Sequence, residues 1–342
     1  MTAPPATRPH VRTAVPGGAG VRRWHLWAAL LSLAVASYLS LAVGVADVGV
    51  GDLLSPTAEQ WHVLTVSRLP RLIAILLAGS AMSVGGLIMQ RITQNRFVSP
   101  STSGTVEAAV LGVLVATLLF GGASLLTRMG VAIVTSIAGT ALFLHLLQRI
   151  RYHDSIVVAL VGIMYGGVIA AVTTFIAYQR DLVQFLDIWT TGSFSSVLQG
   201  RYEPLWVVLG VGAVGYAFAH RFTVVGMGRE FATNLGVAYT RTLYTGLVVV
   251  SVMAAVVVVV VGEIPFLGLI VPNIVAMFLG DNIRRVLPVT ALAGAGFVLA
   301  CDVVGRTIRY PYEIPVATVA GAVGGVLFIW LVLRASRRGG QP

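Results

Sequence analysis

The sequence predicts an all-α, polytopic membrane protein, and three observations carry that reading. Of 342 residues, 57% are hydrophobic and only 11% charged, a balance too apolar for a soluble domain of this length. Apolar runs of about 17–25 residues recur along the chain, each long enough to cross a bilayer as a helix. The charges lie in the connections between those runs. Backbone in lipid must satisfy its own polar groups, so the runs read as helices and not as open sheet.

Residues 1–23 are rich in Pro, Gly and Arg and read as a disordered cytoplasmic tail before a single membrane domain over 24–336. The first apolar run, 26–46, reads either as an uncleaved helix or as a cleavable signal peptide with small residues at Gly44 and Ala46. It is too long for an ordinary signal core, which favours the helix. Nine further spans follow at 72–90, 103–121, 128–148, 156–177, 203–219, 243–262, 267–280, 289–305 and 314–333, ten in all, the eighth being short. Two longer connections, 47–71 with Trp61 and 178–202 with Asp187 and Trp189, read as interfacial helices. Spans two to five run opposite to spans seven to ten, which is compatible with an inverted repeat, although the halves share no convincing identity.

The net charge of +10 comes from arginine alone, because the chain has no lysine. A basic soluble protein would suggest a nucleic-acid partner. Here the arginines concentrate in alternate connections, and a positive-inside topology with both termini cytoplasmic explains them without nucleic acid. The single cysteine, Cys301, excludes an intramolecular disulfide. No phosphate-cradling G-x-x-x-x-G-K-[ST] loop is present, so any nucleotide is bound by another chain. Glu107 is the one carboxylate well inside a predicted span; it reads as a proton relay, a polar contact to substrate or a neutral packed acid, the last being preferred. No paired acids or metal-ligating cluster support a membrane-embedded enzyme, and no metal site is expected.

Five segments carry more specific information. The connection from His220 to Arg241, HRFTVVGMGREFATNLGVAYTR, is polar and has helical spacing from Gly228 to Leu235. A short helix outside the bilayer is a handle for a soluble partner. The spacing Gly228-x-x-x-Ala232-x-x-Leu235-Gly236, with Glu230 as its only acid, resembles the coupling loop of FecCD-type permeases, the membrane subunits of ABC importers for ferric siderophores, haem and cobalamin. Ala232 and Leu235 are three apart and are expected to share one face against an ATPase.

The other four segments extend the resemblance over residues 68 to 333. Arg68-Leu69-Pro70-Arg71 opens span two, with proline tolerated in a first helical turn. Gln90 to Gly104, QRITQNRFVSPSTSG, is similar to the family's Q-x-x-x-x-N-P-L-A-x-P-x-x-L-G, with Arg96 and Phe97 in place of Pro-Leu. The resemblance implies an inner gate at Asn95, Phe97 and Pro100. Gly262 to Asn273 resembles G-x-I-x-F-V-G-L-x-x-P-H, with Asn273 where many members have His, and implies a pathway wall at Pro265, Gly268, Pro272 and Asn273. The last segment, 301–317, resembles A-D-x-x-x-R over Cys301 to Arg306 and opens span ten with Glu313-Ile314-Pro315-Val316, similar to the family's E-x-P-[VI]-G except that Ala317 replaces Gly. By this resemblance Arg68, Arg71 and Arg306 dock an extracytoplasmic binding protein; an ion pair between Asp302 and Arg306, four apart, is the simpler reading for the last.

The architecture implied is a type II, cobalamin-permease-like importer in the cell membrane. Its partners are ABC ATPase subunits holding ATP and Mg, a second identical or homologous permease, a siderophore-binding protein and membrane lipid. The branch it looks most like is iron–siderophore uptake, with a catecholate type as the guess. An ion-coupled secondary transporter of a small solute is the alternative, and it explains the hydrophobicity equally well.

Overall fold

The computed structural model describes residues 23–44, 49–149 and 155–339. The tail expected at 1–23 lies outside these, except for Arg23, which already begins the first helix.

Every regular element among the described residues is helical. In order they are α1 (Arg23–Ala42), α2 (Ala58–Val63), α3 (Leu69–Ile92), α4 (Thr105–Leu119), α5 (Leu125–Arg149), α6 (Ser155–Gln179), α7 (Val183–Thr190), α8 (Val207–Ala217), α9 (Ala219–Val225), α10 (Arg229–Asn234), α11 (Tyr239–Val260), α12 (Leu267–Leu279), α13 (Ile283–Thr307) and α14 (Val316–Gly339). Six helices are long and apolar enough to cross a membrane alone. A further apolar segment is the pair Glu203–Ala217 and Ala219–Val225, bent by 58°. Three shorter apolar helices, α1, α4 and α12, bring the apolar segments to the ten that the sequence predicts.

Burial sorts them into layers. In their most apolar 18-residue stretches, 83% of the crossing that contains α3 and 72% of α11 are buried, so these two form the centre, whereas α6 and α14, with 17% and 22%, lie at the periphery. Around α3 pack α11, α12 and α13. Close backbone approach drives helix packing in lipid, where apolar burial gives little. The α3–α12 crossing shows it: a Cβ added to Gly86 would fall 1.9 Å from the Gly268 carbonyl oxygen. Here α4 and α12, with 15 and 13 residues, are too short to span a hydrocarbon core of about 30 Å. The irregular backbone before each is covered by protein, with Val98, Ser99, Pro100, Val261 and Ile264 buried.

Both longer connections hold a helix, as expected, and the structure adds detail to each. Among the described residues of the 47–71 connection, the expected helix forms as α2, with Trp61 exposed, but it runs on into the second span. One helical segment runs from Ala58 to Ile92, 35 residues, started by a Thr57–Gln60 capping box. Pro70 therefore sits inside it, and its missing N–H leaves the Val66 carbonyl unpaired within the helix. The chain answers with a π-helical turn at Leu64–Arg68, and the Gln199 N–H donates to Val66 O at 2.9 Å. The second interfacial helix exists as α7, but Trp189 is buried beneath the Arg128 guanidinium instead of facing lipid.

Candidate functional site

The 220–241 loop marks one end of the bundle, the loop end; the opposite end is the far end. Gly228 (φ 111°) and Gly236 (φ 73°) bracket α10 in conformations that favour glycine. At the C-terminus the Val237 N–H donates to Ala232 O at 2.9 Å and the Gly236 N–H to Thr233 O at 3.0 Å, the paired bonds of a Schellman cap. Glu230 lies exposed in the first turn, where an acid complements the helix dipole. The expected shared face of Ala232 and Leu235 is not formed. Ala232 is fully buried against Val224 and Val225, with Val237 and Tyr239 around them. Leu235 is exposed, as are Phe231 within the helix and Met227 just before it.

An ion-pair latch joins this loop to the neighbouring connections. Arg91 donates to Asp281 at 2.7 Å, and Arg96 reaches both oxygens of the same carboxylate at 3.2 Å. The aliphatic stem of Arg91 lies beside Gly226, and the Ile283 N–H donates to Thr223 Oγ1 at 3.3 Å. Burial of Asp281 opposes ionisation, but the bonds and charges of Arg91 and Arg96 outweigh it and hold the carboxyl below its ordinary value. The latch is thus charged throughout the neutral range.

Arg96 leads directly into the segment expected to gate. Asn95 is buried, and its Oδ1 accepts from the Phe97 N–H at 2.8 Å, an Asx turn that fixes the direction of the Phe97 ring. Phe97 meets Phe328 of α14 edge-on at 6.3 Å, and Phe328 stacks on Phe266 at 6.4 Å. Pro100 is buried and begins a 3₁₀ turn packed on Gly268.

The expected wall residues surround the same place. Pro272 lies inside α12 and cannot donate to the Gly268 carbonyl. Gln90 Nε2 compensates, at 3.4 Å from Gly268 O and 3.3 Å from Leu269 O. Asn273 Nδ2 donates to Leu269 O and to Arg96 O, both at 2.8 Å, so it clamps α12 to the gate segment. Pro265 packs toward Gly321 of α14, and Phe266 adopts a left-handed φ of 62°, which aims its ring at Phe328. Glu107, in the first turn of α4, packs its carboxyl against Gly166 of α6; its Oε2 is buried with no hydrogen-bond partner among the described residues.

At the far end, two of the three arginines expected to dock a binding protein are buried in this structure. Arg68 and Arg306 are 8% and 7% exposed. Helix α1 ends there, and the last carbonyls of a helix lack partners of their own. Arg306 donates to Val43 O at 2.6 Å, Ser40 O at 3.2 Å and Ser40 Oγ at 2.6 Å, and Arg68 donates to Leu41 O. Guanidiniums suit this position because the C-terminal end of a helix carries partial negative charge. Asp302, itself buried, pairs with Arg71 at 2.8 Å and Arg306 at 2.9 Å, and Arg71 also pairs with Glu313 at 2.9 Å. The arginines bolt α1 to α3 and α13. Only the Arg71–Glu313 pair, with side chains 15% and 30% exposed, approaches the surface.

Comparison with known proteins decides what this arrangement belongs to. The FecCD transport family matches residues 32–334. The chain belongs to that family. Among curated relatives, the FecCD protein described here is 45% identical over 310 residues to the petrobactin import system permease protein YclN of Bacillus subtilis (strain 168), covering 91% of this chain and 97% of the relative. It is 41% identical to the petrobactin import system permease protein FatD of Bacillus anthracis, covering 90% of each. It is 40% identical to the ferric-anguibactin transport system permease protein FatD of Vibrio anguillarum, covering 83% of this chain and 91% of the relative. A solved metal-chelate type ABC transporter in an inward-facing conformation shares the fold, with a TM-score of 0.78 at 24% identity over 92% of this chain and all of that one.

Several residues of the site escape sequence reasoning. Asp281 pairs with arginines 185 and 190 positions away, and its only local sign is that it is the sole acid in its connection. Phe328 and Arg334 sit in an apolar run that shows no face by itself. Phe231 and Leu235, four apart, are exposed together with Met227, whereas the small Ala232 is the residue that packs inward.

Proposed function

We propose that this FecCD protein is the membrane-spanning permease subunit of an ATP-driven importer that carries a ferric siderophore from an extracytoplasmic binding protein to the cytoplasm. The observation that supports it most is the 45% identity, over nearly the whole of both chains, to a petrobactin import permease. The 220–241 loop is cytoplasmic in this reading, with both termini on the same side, because arginine is concentrated there. Reporter fusions at Gly200 and Pro342 then report opposite sides of the membrane; the same side for both would contradict the topology.

The exposed side chains of Met227, Phe231 and Leu235 are the seat for an ATPase subunit, which binds ATP and Mg. The permease makes and breaks no bonds itself. The poorly covered helices α6 and α14 receive a second permease. Closure of the ATPases displaces α10; the Thr223–Ile283 contact and the Arg91–Asp281–Arg96 latch pass the movement to Phe97, which opens or closes the cytoplasmic mouth between two discrete arrangements. At the far end, docking by the binding protein exchanges Glu313 on Arg71 for a carboxylate of the incoming protein, while Arg68 and Arg306 stay committed to α1. Affinity purification of the tagged permease from its native membrane tests the reading. It recovers an ABC ATPase in stoichiometric amount; recovery of the permease with no ATPase would refute it.

A further inference from the structure

Helix α11 is buried along its length except for one stripe near the loop end. Arg241, Tyr244 and Val248 are exposed, Thr245 and Val252 are half-buried, and the remaining residues from Thr242 to Val259 are buried. Positions i, i+3 and i+7 lie on one face of a helix. The stripe opens into a cleft of about 530 Å³, lined by Arg241, Tyr244, Thr245, Val248 and Val249 of α11 and by Val214 of α8. Seven residues separate Arg241 from Val248, about 10 Å along the helix axis. The chemistry is graded over that distance: a guanidinium at the loop end, a phenol one turn deeper, then a floor of valines. No acid lines the cleft, and Arg241 forms no ion pair among the described residues. Thr245 Oγ1 donates to Arg241 O at 2.9 Å, which leaves the guanidinium and the Tyr244 hydroxyl for a ligand. The cleft faces lipid. On α8, Val207, Leu209 and Val214 are exposed, and that helix packs on α3, α9 and α11. The helices assigned to a second permease, α6 and α14, pack elsewhere, chiefly on α4, α12 and α13.

We propose that the α8–α11 cleft is a binding site for an anionic phospholipid of the leaflet at the loop end. The lipid phosphate meets Arg241 in charge-assisted hydrogen bonds. Tyr244 stands at the level of the ester groups, the depth at which tyrosine is enriched. One acyl chain lies along Val214, Val248 and Val249. The volume is that of an ordinary ligand pocket, about 300 to 1,000 Å³, so the cleft holds the head group and the start of one chain while the rest stays in the bilayer. With the 220–241 loop in the cytoplasm, this is the leaflet that carries anionic lipid. Any exposed arginine at a membrane edge attracts phosphate; what makes this one a site is the cleft beneath it. Arg284 of α13 is exposed at the same end and lies outside the cleft. The proposal goes beyond the importer reading and does not depend on what the permease carries.

The test uses the full permease–ATPase complex in phosphatidylcholine nanodiscs that contain a small fraction of one of two photoactivatable probes. One is phosphatidylglycerol with a diazirine in an acyl chain, and the other is phosphatidylcholine with the same group. Labelled residues are mapped by mass spectrometry after irradiation. The expected result is labelling at Val214, Val248 and Val249 that is several-fold stronger with the phosphatidylglycerol probe and is displaced by unlabelled phosphatidylglycerol. Arg241→Gln lowers that labelling about fivefold, the effect of one arginine near anionic lipid. Arg241→Lys keeps most of it. Val248→Trp fills the cleft and lowers labelling of Val214 and Val249 by both probes, while Arg284→Gln leaves it unchanged. If Arg241→Gln fails to assemble, Val248→Trp and the two-probe comparison on the unaltered complex decide the matter. Equal labelling by the two probes overturns the proposal, because it shows an ordinary lipid-facing surface. An equal fall with Arg284→Gln overturns it too, because the attraction then belongs to the whole basic edge. So does labelling that is present in the permease alone and lost when the ATPase is added, which would assign the cleft to that partner. A chain that assembles with no ATPase overturns the importer reading and leaves the lipid site standing, since the permease alone then shows the same labelling and the same Arg241 dependence.

Discussion

Replacing Asp302 by alanine destabilises the folded permease by about 3–5 kcal/mol, the cost of removing one partner from a buried ionic cluster. Asp302 is 3% exposed and is shared by Arg71 and Arg306. Without it Arg306 keeps its carbonyl contacts to Ser40 and Val43 but loses its direct ion-pair partner, and Arg71 keeps only Glu313. The two guanidiniums then repel each other at the junction of α1, α3 and α13. Gel filtration after stepwise heating measures the effect: the Asp302→Ala protein aggregates well below the temperature of the unaltered one. Glu313→Gln removes a more accessible partner and shifts the midpoint much less, since exposed pairs contribute about 0–1 kcal/mol. An Asp302→Ala protein as heat-stable as the parent would show that the cluster does not hold the far end together.

The second large effect separates the ATPase contact from the loop's own core. Phe231→Glu places a charge beside the exposed Met227 and Leu235 and leaves the packing around Ala232 intact. The permease inserts and folds normally, and co-purification of the ATPase and ATP-driven uptake are both lost. Ala232→Glu also abolishes uptake, for a different reason. It forces a carboxylate among Val224, Val225 and Val237, a buried unpaired charge that costs several kcal/mol, and the loop itself loses its structure. Limited proteolysis between Thr223 and Arg241 distinguishes the two: Ala232→Glu is cut rapidly, whereas Phe231→Glu resists as the parent does. Retained ATPase binding by Phe231→Glu would move the seat away from these residues.

These two sites show where sequence reasoning succeeds and where it stops. Length and hydropathy make the ten apolar segments legible, because in lipid a helix must satisfy its backbone locally. Gly228 and Gly236 mark the ends of α10 for a local reason as well, their positive φ. What could not be read is partnership across the chain. The motif Arg68-Leu69-Pro70-Arg71 shows two cations and a helix-breaking residue, but neither the Leu41 carbonyl that Arg68 caps nor the Gln199 N–H that serves the carbonyl freed by Pro70 is near in sequence. Both choices depend on where α1 ends and how residues 193–202 fold back. Asn273 is likewise a departure visible in the motif, whose consequence, the clamp on Arg96, appears only in three dimensions.

The central claim is that transport is driven by ATP through a partner docked on the 220–241 loop. The direct measurement is uptake of a radiolabelled ferric siderophore by proteoliposomes that contain the permease, its ATPase and its binding protein, with ATP enclosed on the loop side. The account predicts uptake that requires ATP, the ATPase and the binding protein together, and that disappears with Phe231→Glu. Uptake by the permease alone, driven by a proton or sodium gradient and indifferent to ATP, would contradict it.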